Sequence, residues 1–150
     1  MAPAPIIDQS CLAHLLGYQV SLADVPLRRV FFKHIGNPMA LRPVEFSALV
    51  LVAFNPGATQ KLLAQALSLS APNTTLLLDR LAERGLVERV RSESDRRAQN
   101  IHLTAQGREL TQRAHEVSKT MEHELLRALS PAEHAMLLEL LHKVTRHKQV

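Results

Sequence analysis

The sequence is poor in aromatic residues and cysteine, and it has no long apolar run. Its 150 residues contain no Trp, one Tyr and four Phe. Because proteins bind single strands by stacking bases on aromatic rings, this composition argues against a single-strand binder. The single cysteine, Cys11, excludes a disulfide within the chain. No apolar run approaches the about 18 residues of a membrane-spanning helix, and no signal-peptide pattern is present, so we predict a cytoplasmic protein without a membrane partner.

The patterns that mark an enzyme are also missing. The chain shows no nucleophile at a suitable spacing from a base and an acid, no Gly-rich phosphate loop and no set of metal ligands. Two of the eight histidines, His115 and His123, share one predicted helix, but they lack the i, i+4 spacing that a helical metal site favours. We therefore predict no catalytic residues, no metal and no cofactor.

Positive charge is in excess. Lys and Arg number 18 against 14 Asp and Glu, which gives a formal net charge of +4 and an isoelectric point of about 9.7. This balance favours a polyanionic partner, although many basic proteins bind no nucleic acid. A length of 150 residues suits a single domain with its own core.

The most regular pattern in the chain predicts a pair of short helices. Thr59 is a good N-cap residue, and apolar residues at helical spacing follow it. A turn is expected at residues 68–69. Ser70 then caps the second helix, with Pro72 in its first turn, where a missing N–H costs nothing. Gly85 is suited to end this helix because it tolerates the left-handed conformation.

Two strand-like runs follow the helices. Residues 87–91 and 100–103 alternate between apolar and polar side chains, as strands with one buried face do. Between them lies SESDRRAQ, which is too polar to be buried and carries Arg96 and Arg97. A hairpin arm of this kind can reach backbone phosphates or a minor groove. Helix, turn, helix and hairpin in this order form a winged helix-turn-helix, a module that reads duplex DNA.

The same region carries a family resemblance, in LSAPNTTLLLDRLAERGLVERVRSESDRRAQNIHLTAQG. Its key runs are Asp79-Arg80-Leu81, Arg84-Gly85-Leu86-Val87, Asp95-Arg96-Arg97 and Leu103-Thr104 with Gly107. This long, ungapped pattern resembles the signature of the MarR family of bacterial transcriptional regulators. The resemblance implies a mainly α fold: a winged helix-turn-helix with a small two- or three-stranded β wing, plus N- and C-terminal dimerisation helices. It also implies double-stranded DNA as a partner.

We interpret residues 1–150 as a single MarR-like domain. Within it, residues 41–104 are the winged helix-turn-helix DNA-binding lobe, and residues 8–36 and 105–148 are dimerisation helices. These terminal segments have more apolar surface than one small winged domain needs. The resemblance implies that they interlock two chains into a homodimer, and a two-fold dimer places its recognition helices about one DNA turn, roughly 34 Å, apart on a pseudo-palindrome.

The terminal segments carry their own boundary signals. Pro26 is expected to kink or split the first helix, and Gly36-Asn37-Pro38 to end it. A long helix is expected from Ala105 to about Leu129. The last helix begins with a capping box at Ser130–Glu133.

The second helix of the pair supplies candidate base contacts. In the family, the position matching Leu76 is commonly arginine, so an arginine–guanine contact is not carried over. Leu76 could meet a thymine methyl group, or it could pack against a neighbouring helix. Because Pro72 has no donor, hydrogen-bonded readout is expected to rest on Asn73 and Thr75.

Charged residues supply the remaining candidate contacts. We expect Arg80 to contact phosphate, and Arg84 either to do the same or to pair with Glu88. Asp95 is expected to orient an arginine by a charge-assisted bond rather than touch DNA. The predicted DNA-binding residues are Ser70, Pro72, Asn73, Thr75, Leu76, Arg80, Asp95, Arg96 and Arg97.

The resemblance further implies a small-molecule effector. Family members often bind a small anionic aromatic ligand between the dimer helices and the DNA module. Tyr18, Phe31, Phe46 and His115 are candidates to line such a pocket, although each could equally be an ordinary core residue. The expected function is that of a homodimeric repressor released from DNA by this ligand.

Two alternatives remain open. Family members that sense peroxide use a reactive cysteine near the N-terminus, which makes a redox-responsive regulator acting through Cys11 possible. Cys11 is offset from the matching run, taken as Leu16-Gly17-Tyr18, by about two helical turns, so we expect a buried, inert thiol. The other alternative is a winged-helix module that binds a protein instead of DNA.

Overall fold

The computed structural model of this protein describes residues 6–146; residues 1–5 and positions 147–148 of the predicted last helix lie outside the described part. The fold is mainly α with a small β wing, as predicted. The elements are α1 (Leu16–Phe31), α2 (Asn37–Met39), α3 (Pro43–Phe54), α4 (Gln60–Leu67), α5 (Ala71–Glu83), β1 (Val87–Arg91), β2 (Gln99–Leu103), α6 (Ala105–Ser118) and α7 (Pro131–Arg146), with a π-helical segment at Phe32–Gly36 and 3₁₀ turns at Ser10–Leu12 and Leu125–Ala128.

The described residues form two compact units. Phe31–Met121 make up the winged unit, which contains α2 to α6 and both strands. Residues 6–30 and 122–146 make up the terminal unit, which contains most of α1 and all of α7. In the winged unit α6 packs against α3. The assignment of residues 105–148 to dimerisation stays a prediction.

The helix-turn-helix forms because its capping residues satisfy the free backbone groups at the helix ends. The Thr59 hydroxyl accepts the N–H of Leu62 at 3.2 Å, which caps α4. Ser68 adopts the left-handed conformation at φ 53°, which turns the chain sharply after α4. The Ser70 hydroxyl accepts the N–H of Asn73 at 3.3 Å and so caps α5. The predicted caps and turn are confirmed.

The wing is an antiparallel hairpin. Its register pairs Val87 with Leu103 and Arg91 with Gln99. A short third segment joins the other edge of β2, where the N–H of Ile101 donates to the carbonyl of Ala58 at 2.8 Å. The side chains of Val87, Ile101 and Leu103 are buried, as the alternation in the sequence predicts.

The predicted split of the first helical segment at Pro26 is wrong, whereas its predicted end at Gly36-Asn37-Pro38 lies within one residue of the observed end at Met39. Pro26 lies inside α1 and does not split it, because the helix continues to Phe31. The chain then runs on through the π-helical segment and α2, and it turns at Ala40, whose φ is 51°. Gly36 serves packing, since a Cβ there would lie 2.4 Å from the Phe32 ring.

The predicted helix from Ala105 to about Leu129 is also too long. α6 ends at Ser118, where the backbone tightens: the N–H of Lys119 donates to the carbonyl of Glu116, three residues back, at 3.3 Å. The Ser118 hydroxyl donates to the carbonyl of His115 at 2.7 Å. A serine that bonds locally to the backbone in this way competes with helix continuation.

The buried hydrophobic core, among the residues described, lies in the winged unit. Leu49 of α3 and Leu81 of α5 are fully buried. The Thr104 hydroxyl accepts the N–H of Gly107 at 2.9 Å and donates to the carbonyl of Gly85 at 2.6 Å, which joins the start of α6 to the end of α5. Gly107 is required here because a Cβ would overlap the carbonyl oxygen of Leu86.

Candidate nucleic-acid interface

One face of α5 is buried and the other is open to solvent. Thr74, Leu77, Leu78 and Leu81 are buried, which fixes the rotation of the helix. The exposed face carries five of the predicted DNA contacts: Pro72, Asn73, Thr75, Leu76 and Arg80. The side chain of Leu76 is 50% exposed, so the interpretation that buries it against a neighbouring helix is wrong, and it is free to meet a thymine methyl group.

Thr75 is less available for base readout than the sequence suggests. Its hydroxyl donates to the carbonyl of Ala71 at 3.1 Å and accepts the side-chain N–H of Gln60 at 2.7 Å. Since a hydroxyl has one proton, Thr75 has none left for a base acceptor. Gln60, the first residue of α4, is missing from the predicted contacts because the link spans 15 residues.

A second link that the sequence does not reveal ties the wing to α5. The Arg89 guanidinium of β1 lies 2.8 Å from the Asp79 carboxylate, and it also donates to the carbonyl of Thr75 at 3.5 Å. Arg89 shares the inward face of β1 with Val87, and a basic residue on an inward face is a signal that it has a partner. This pair fixes the base of the wing beside the recognition helix.

The wing tip presents two arginines to solvent. Arg96 and Arg97 are exposed, and neither forms an ion pair within residues 6–146. The Asp95 carboxylate accepts the backbone N–H of Arg97 at 2.9 Å, so it bonds an arginine, as predicted, but through the main chain. Asp95 shapes the turn, as aspartate commonly does by bonding the backbone two residues on.

The two arginines at the end of α5 have different environments. The Arg84 guanidinium donates to the carbonyls of Ala40 and Met39 at 2.6 and 3.1 Å. The predicted pair with Glu88 is therefore wrong, since Arg84 closes the loop after α2, and its contact with phosphate stays a prediction. Arg80 is exposed and makes no ion pair in the described chain, so it stays available to a phosphate.

A cleft of about 940 Å³ opens on the side of the winged unit formed by the end of α3, the wing strands and α6. Phe54 and His115 meet in it, with ring centroids 5.0 Å apart. The Thr111 hydroxyl at its wall is buried and has no hydrogen-bond partner among the described residues. Arg108 and Lys119 lie at the lining together with Glu88 and Glu116, and the Lys119 ammonium is paired with the Glu116 carboxylate at 2.6 Å. The lining thus combines aromatic, polar and cationic groups, as ligand sites do.

The four predicted ligand residues have different surroundings. His115 lines the cleft. Phe31 is buried and packs edge-on against Phe32, with ring centroids 5.6 Å apart, and 5.8 Å from Phe46. Tyr18 belongs to the terminal unit, where its hydroxyl donates to Gln9 at 2.6 Å.

Glu116 and Glu133 are two of the three carboxylates, with Asp8, whose pKa is lowered for local reasons. At the cleft, the side-chain bond from Lys119, 2.6 Å long, holds the pKa of Glu116 below its ordinary value. In the terminal unit, the backbone N–H of Ser130 holds down the pKa of Glu133. Both groups therefore stay charged near neutral pH.

Cys11 is exposed in the single chain, so the expected burial of its thiol is wrong. It lies in the 3₁₀ turn Ser10–Leu12 of the terminal unit.

No helix in residues 6–146 is long and apolar enough to cross a bilayer.

These features define a class of protein. The capped helix pair, the open face of α5 and the arginine-tipped wing make the chain a winged helix-turn-helix DNA-binding regulator. A model of the MarR family matches residues 41–98.

Individual relatives match over nearly the whole chain. The repressor CouR, solved bound to a 23-mer DNA duplex, is 34% identical, with a TM-score of 0.85 over 94% of this chain and 99% of that one. CouR bound to p-coumaroyl-CoA is 31% identical, with a TM-score of 0.84 over 95% and 99%. A cysteine-to-serine mutant of MarR from E. coli with operator DNA is 26% identical, with a TM-score of 0.81 over 92% and 99%. A Thauera aromatica protein assigned as a transcriptional regulator for the hcr operon is 27% identical over 90% of this chain and 81% of its own.

The chain belongs to the MarR family, which consists of transcriptional regulators rather than enzymes.

Proposed function

We propose that this protein is a homodimeric repressor that acts in the cytoplasm, binds a pseudo-palindromic operator and is released by a small aromatic, anionic ligand. The observation that carries the proposal is the open face of α5 beside a wing whose two tip arginines have no ion-pair partner among the described residues. Arg96 and Arg97 insert into a minor groove or bind phosphates, while the N-terminal half of α5 lies in the adjacent major groove. Asp95 supports this contact by holding the tip in shape.

The terminal unit supports the dimer. Large apolar side chains on α1 and α7 are about half exposed in the single chain. They are Leu16, Val20, Leu22, Val25, Met136, Leu137, Leu138, Leu140 and Val144. No residue of α7, all of which the structure describes, is buried. Large apolar side chains exposed in this number mark an interaction surface, and a second copy of the chain covers it in an isologous contact.

The cleft of the winged unit is the proposed effector site. Its volume of about 940 Å³ is in the usual range for a ligand of drug size or larger. The Phe54 and His115 rings stack on an aromatic group, the free Thr111 hydroxyl bonds a polar substituent, and Arg108 neutralises an anionic end. The CouR complex with p-coumaroyl-CoA supports an aromatic acyl ligand as the class.

The ligand acts by shifting a population. The cleft is lined by wing residues Val90 and His102, so a bound ligand favours the wing positions that accommodate it. If these positions fit the DNA less well, the ligand and the operator weaken each other's binding equally. A differential affinity of a few kcal/mol is sufficient.

The test for DNA binding is the salt dependence of affinity for operator duplex. Counterion release makes log affinity fall linearly with log salt. The variants Arg96→Ala and Arg97→Ala should each reduce this slope by about 1. Arg113→Ala is the matched control, since Arg113 is an exposed arginine of α6 outside the proposed interface. Equal slopes for all three variants and the wild type would refute the wing contact.

The test for the effector uses p-coumaroyl-CoA and free p-coumarate as probes. Release of operator by either probe, weakened in His115→Ala but not in His123→Ala, would support the cleft. The two histidines allow the same substitution inside and outside the proposed site. Release that is unaffected by His115→Ala would place the effector elsewhere.

A further inference from the structure

We propose that Gln60 is a sequence-reading residue, with its carboxamide held by Thr75 and aimed at a base edge in the major groove. This inference rests on the proposed DNA-binding function and assigns a base contact to the first helix of the pair. The starting point is the bond from the Gln60 side-chain nitrogen to the Thr75 hydroxyl oxygen, which is 2.7 Å long and solvent-accessible.

The orientation of the amide follows from the hydrogen-bond directions. The Thr75 proton is given to the carbonyl of Ala71 at 3.1 Å, so the hydroxyl offers only lone pairs to Gln60. Gln60 must therefore present an N–H, and its oxygen points away from Thr75. A flipped amide would need the Thr75 proton for its own oxygen and would cost the bond to Ala71, so the observed orientation is the one that keeps both bonds.

The side of the Gln60 amide that does not bond Thr75 presents one hydrogen-bond acceptor and one donor. A carboxamide has two N–H groups, and one of them lies on the same side as the oxygen. When Thr75 holds the other, the oxygen and the remaining N–H form an acceptor–donor edge. This edge matches the N6 amino group and N7 of adenine, which is the bidentate pairing that glutamine makes in a major groove.

The location suits base contact. Thr75 lies one turn into α5 on its exposed face, between Pro72 and Asp79. Pro72 cannot donate, and the Thr75 proton is committed to the backbone, so few polar groups remain on this part of the surface. Arg89 holds the same turn from the wing side through the Thr75 carbonyl and Asp79. The turn of α5 around Thr75 is therefore held by Gln60 from α4 and by Arg89 from the wing.

The experiment uses the purified full chain and a panel of operator duplexes, each with one base pair replaced. Wild type should prefer A·T at one position in each half-site. Gln60→Ala should reduce that preference by roughly 5- to 150-fold, while the salt slope and the other positions stay unchanged. Gln65→Ala, the same substitution at an exposed site on α4, should match wild type.

Three further variants separate readout from structure. Thr75→Val removes the hydroxyl but keeps the shape, and it should weaken the same preference, whereas Thr75→Ser should retain it. Gln60→Glu replaces the donor with an acceptor, so the preferred pair at this position should shift towards one that presents the cytosine amino group. A changed preference cannot result from misfolding.

The inference would be overturned if Gln60→Ala left the selectivity profile of a selective wild type unchanged. It would also be overturned if Gln60→Ala weakened all duplexes equally and lowered the salt slope, which indicates a phosphate contact. A wild-type protein without any sequence preference would overturn the proposed operator function, and this assignment with it.

Discussion

The two units of the molecule differ in how far they bury their apolar side chains. The winged unit buries its own: the core, as far as the chain is described, runs from Phe31 to Ala114 without a residue from the terminal unit. The terminal unit leaves its apolar residues half exposed, although its helices are as regular. Burial of apolar surface is the main stabilising term in folding. The winged unit therefore has a core of its own, and we propose that the terminal unit completes one with a second copy of the chain.

The largest expected effect is on the affinity between the two copies of the proposed dimer. Leu140→Glu places a charge in the proposed dimer contact, where an unpaired buried charge costs about 3–5 kcal/mol. The dimer dissociation constant should rise by more than roughly 100-fold. Sedimentation equilibrium of wild type, Leu140→Glu and the conservative Leu140→Met measures it. An unchanged dimer in Leu140→Glu would remove α7 from the interface.

A cavity in the winged unit should have a comparable but purely intrachain effect. Leu81 is 0% exposed, and Leu81→Ala should lower the free energy of unfolding by about 2–5 kcal/mol. The control is Leu62→Ala on α4, since Leu62 is 56% exposed and surface substitutions usually stay within about 0.5 kcal/mol. Urea denaturation compares the two. Similar losses in both variants would mean that the core is placed wrongly.

A smaller difference is expected between the coupling energies of one ion pair in each unit. The Asp79–Arg89 pair of the winged unit has side chains 47% and 25% exposed, whereas Glu139–Lys143 of α7 has side chains 55% and 63% exposed. Double-mutant cycles with Asp79→Asn and Arg89→Met should give a coupling of about 0.5–1 kcal/mol, and the cycle for the α7 pair about 0.3 kcal/mol. Thermal unfolding at two salt concentrations measures both. A larger coupling in α7 would contradict the expected order.

The smallest effect concerns pH and the start of α7. The Glu133 carboxylate accepts the N–H of Ser130 at 2.7 Å, and this bond lowers the pKa of Glu133. A lowered folded-state pKa stabilises the fold above the ordinary value near 4.5, and the stabilisation is lost as pH falls through the folded-state pKa. Glu133→Gln should therefore flatten the decline in melting temperature between about pH 6 and 3, whereas Glu139→Gln should not. Equal profiles would show that the cap is not populated.

The parts of the fold that local chemistry decides could be predicted from the sequence. The Thr59, Ser70 and Thr104 caps act within three residues, and the wing strands follow from simple alternation. Both kinds of signal lie inside a short window, so sequence patterns reveal them.

The contacts that could not be predicted join residues that are far apart in the sequence. Arg84 reaches carbonyls more than 40 residues away, at Met39 and Ala40. Gly36 lies at the end of the π-helical segment and against the Phe32 ring, a packing role that the sequence pattern does not reveal. The Gln60–Thr75 bond and the Asp79–Arg89 pair likewise arise only when three elements come together.

Selection of binding sites from a random duplex pool by the full-length protein tests the central claim most directly. If two winged units are held by paired terminal units, the selected site is a pseudo-palindrome with half-sites about one DNA turn apart, roughly 10 base pairs from centre to centre. Moving the half-sites apart by half a turn should then abolish the selective advantage. Recovery of single half-sites, tolerance of any spacing, or no enrichment at all would contradict the dimeric repressor.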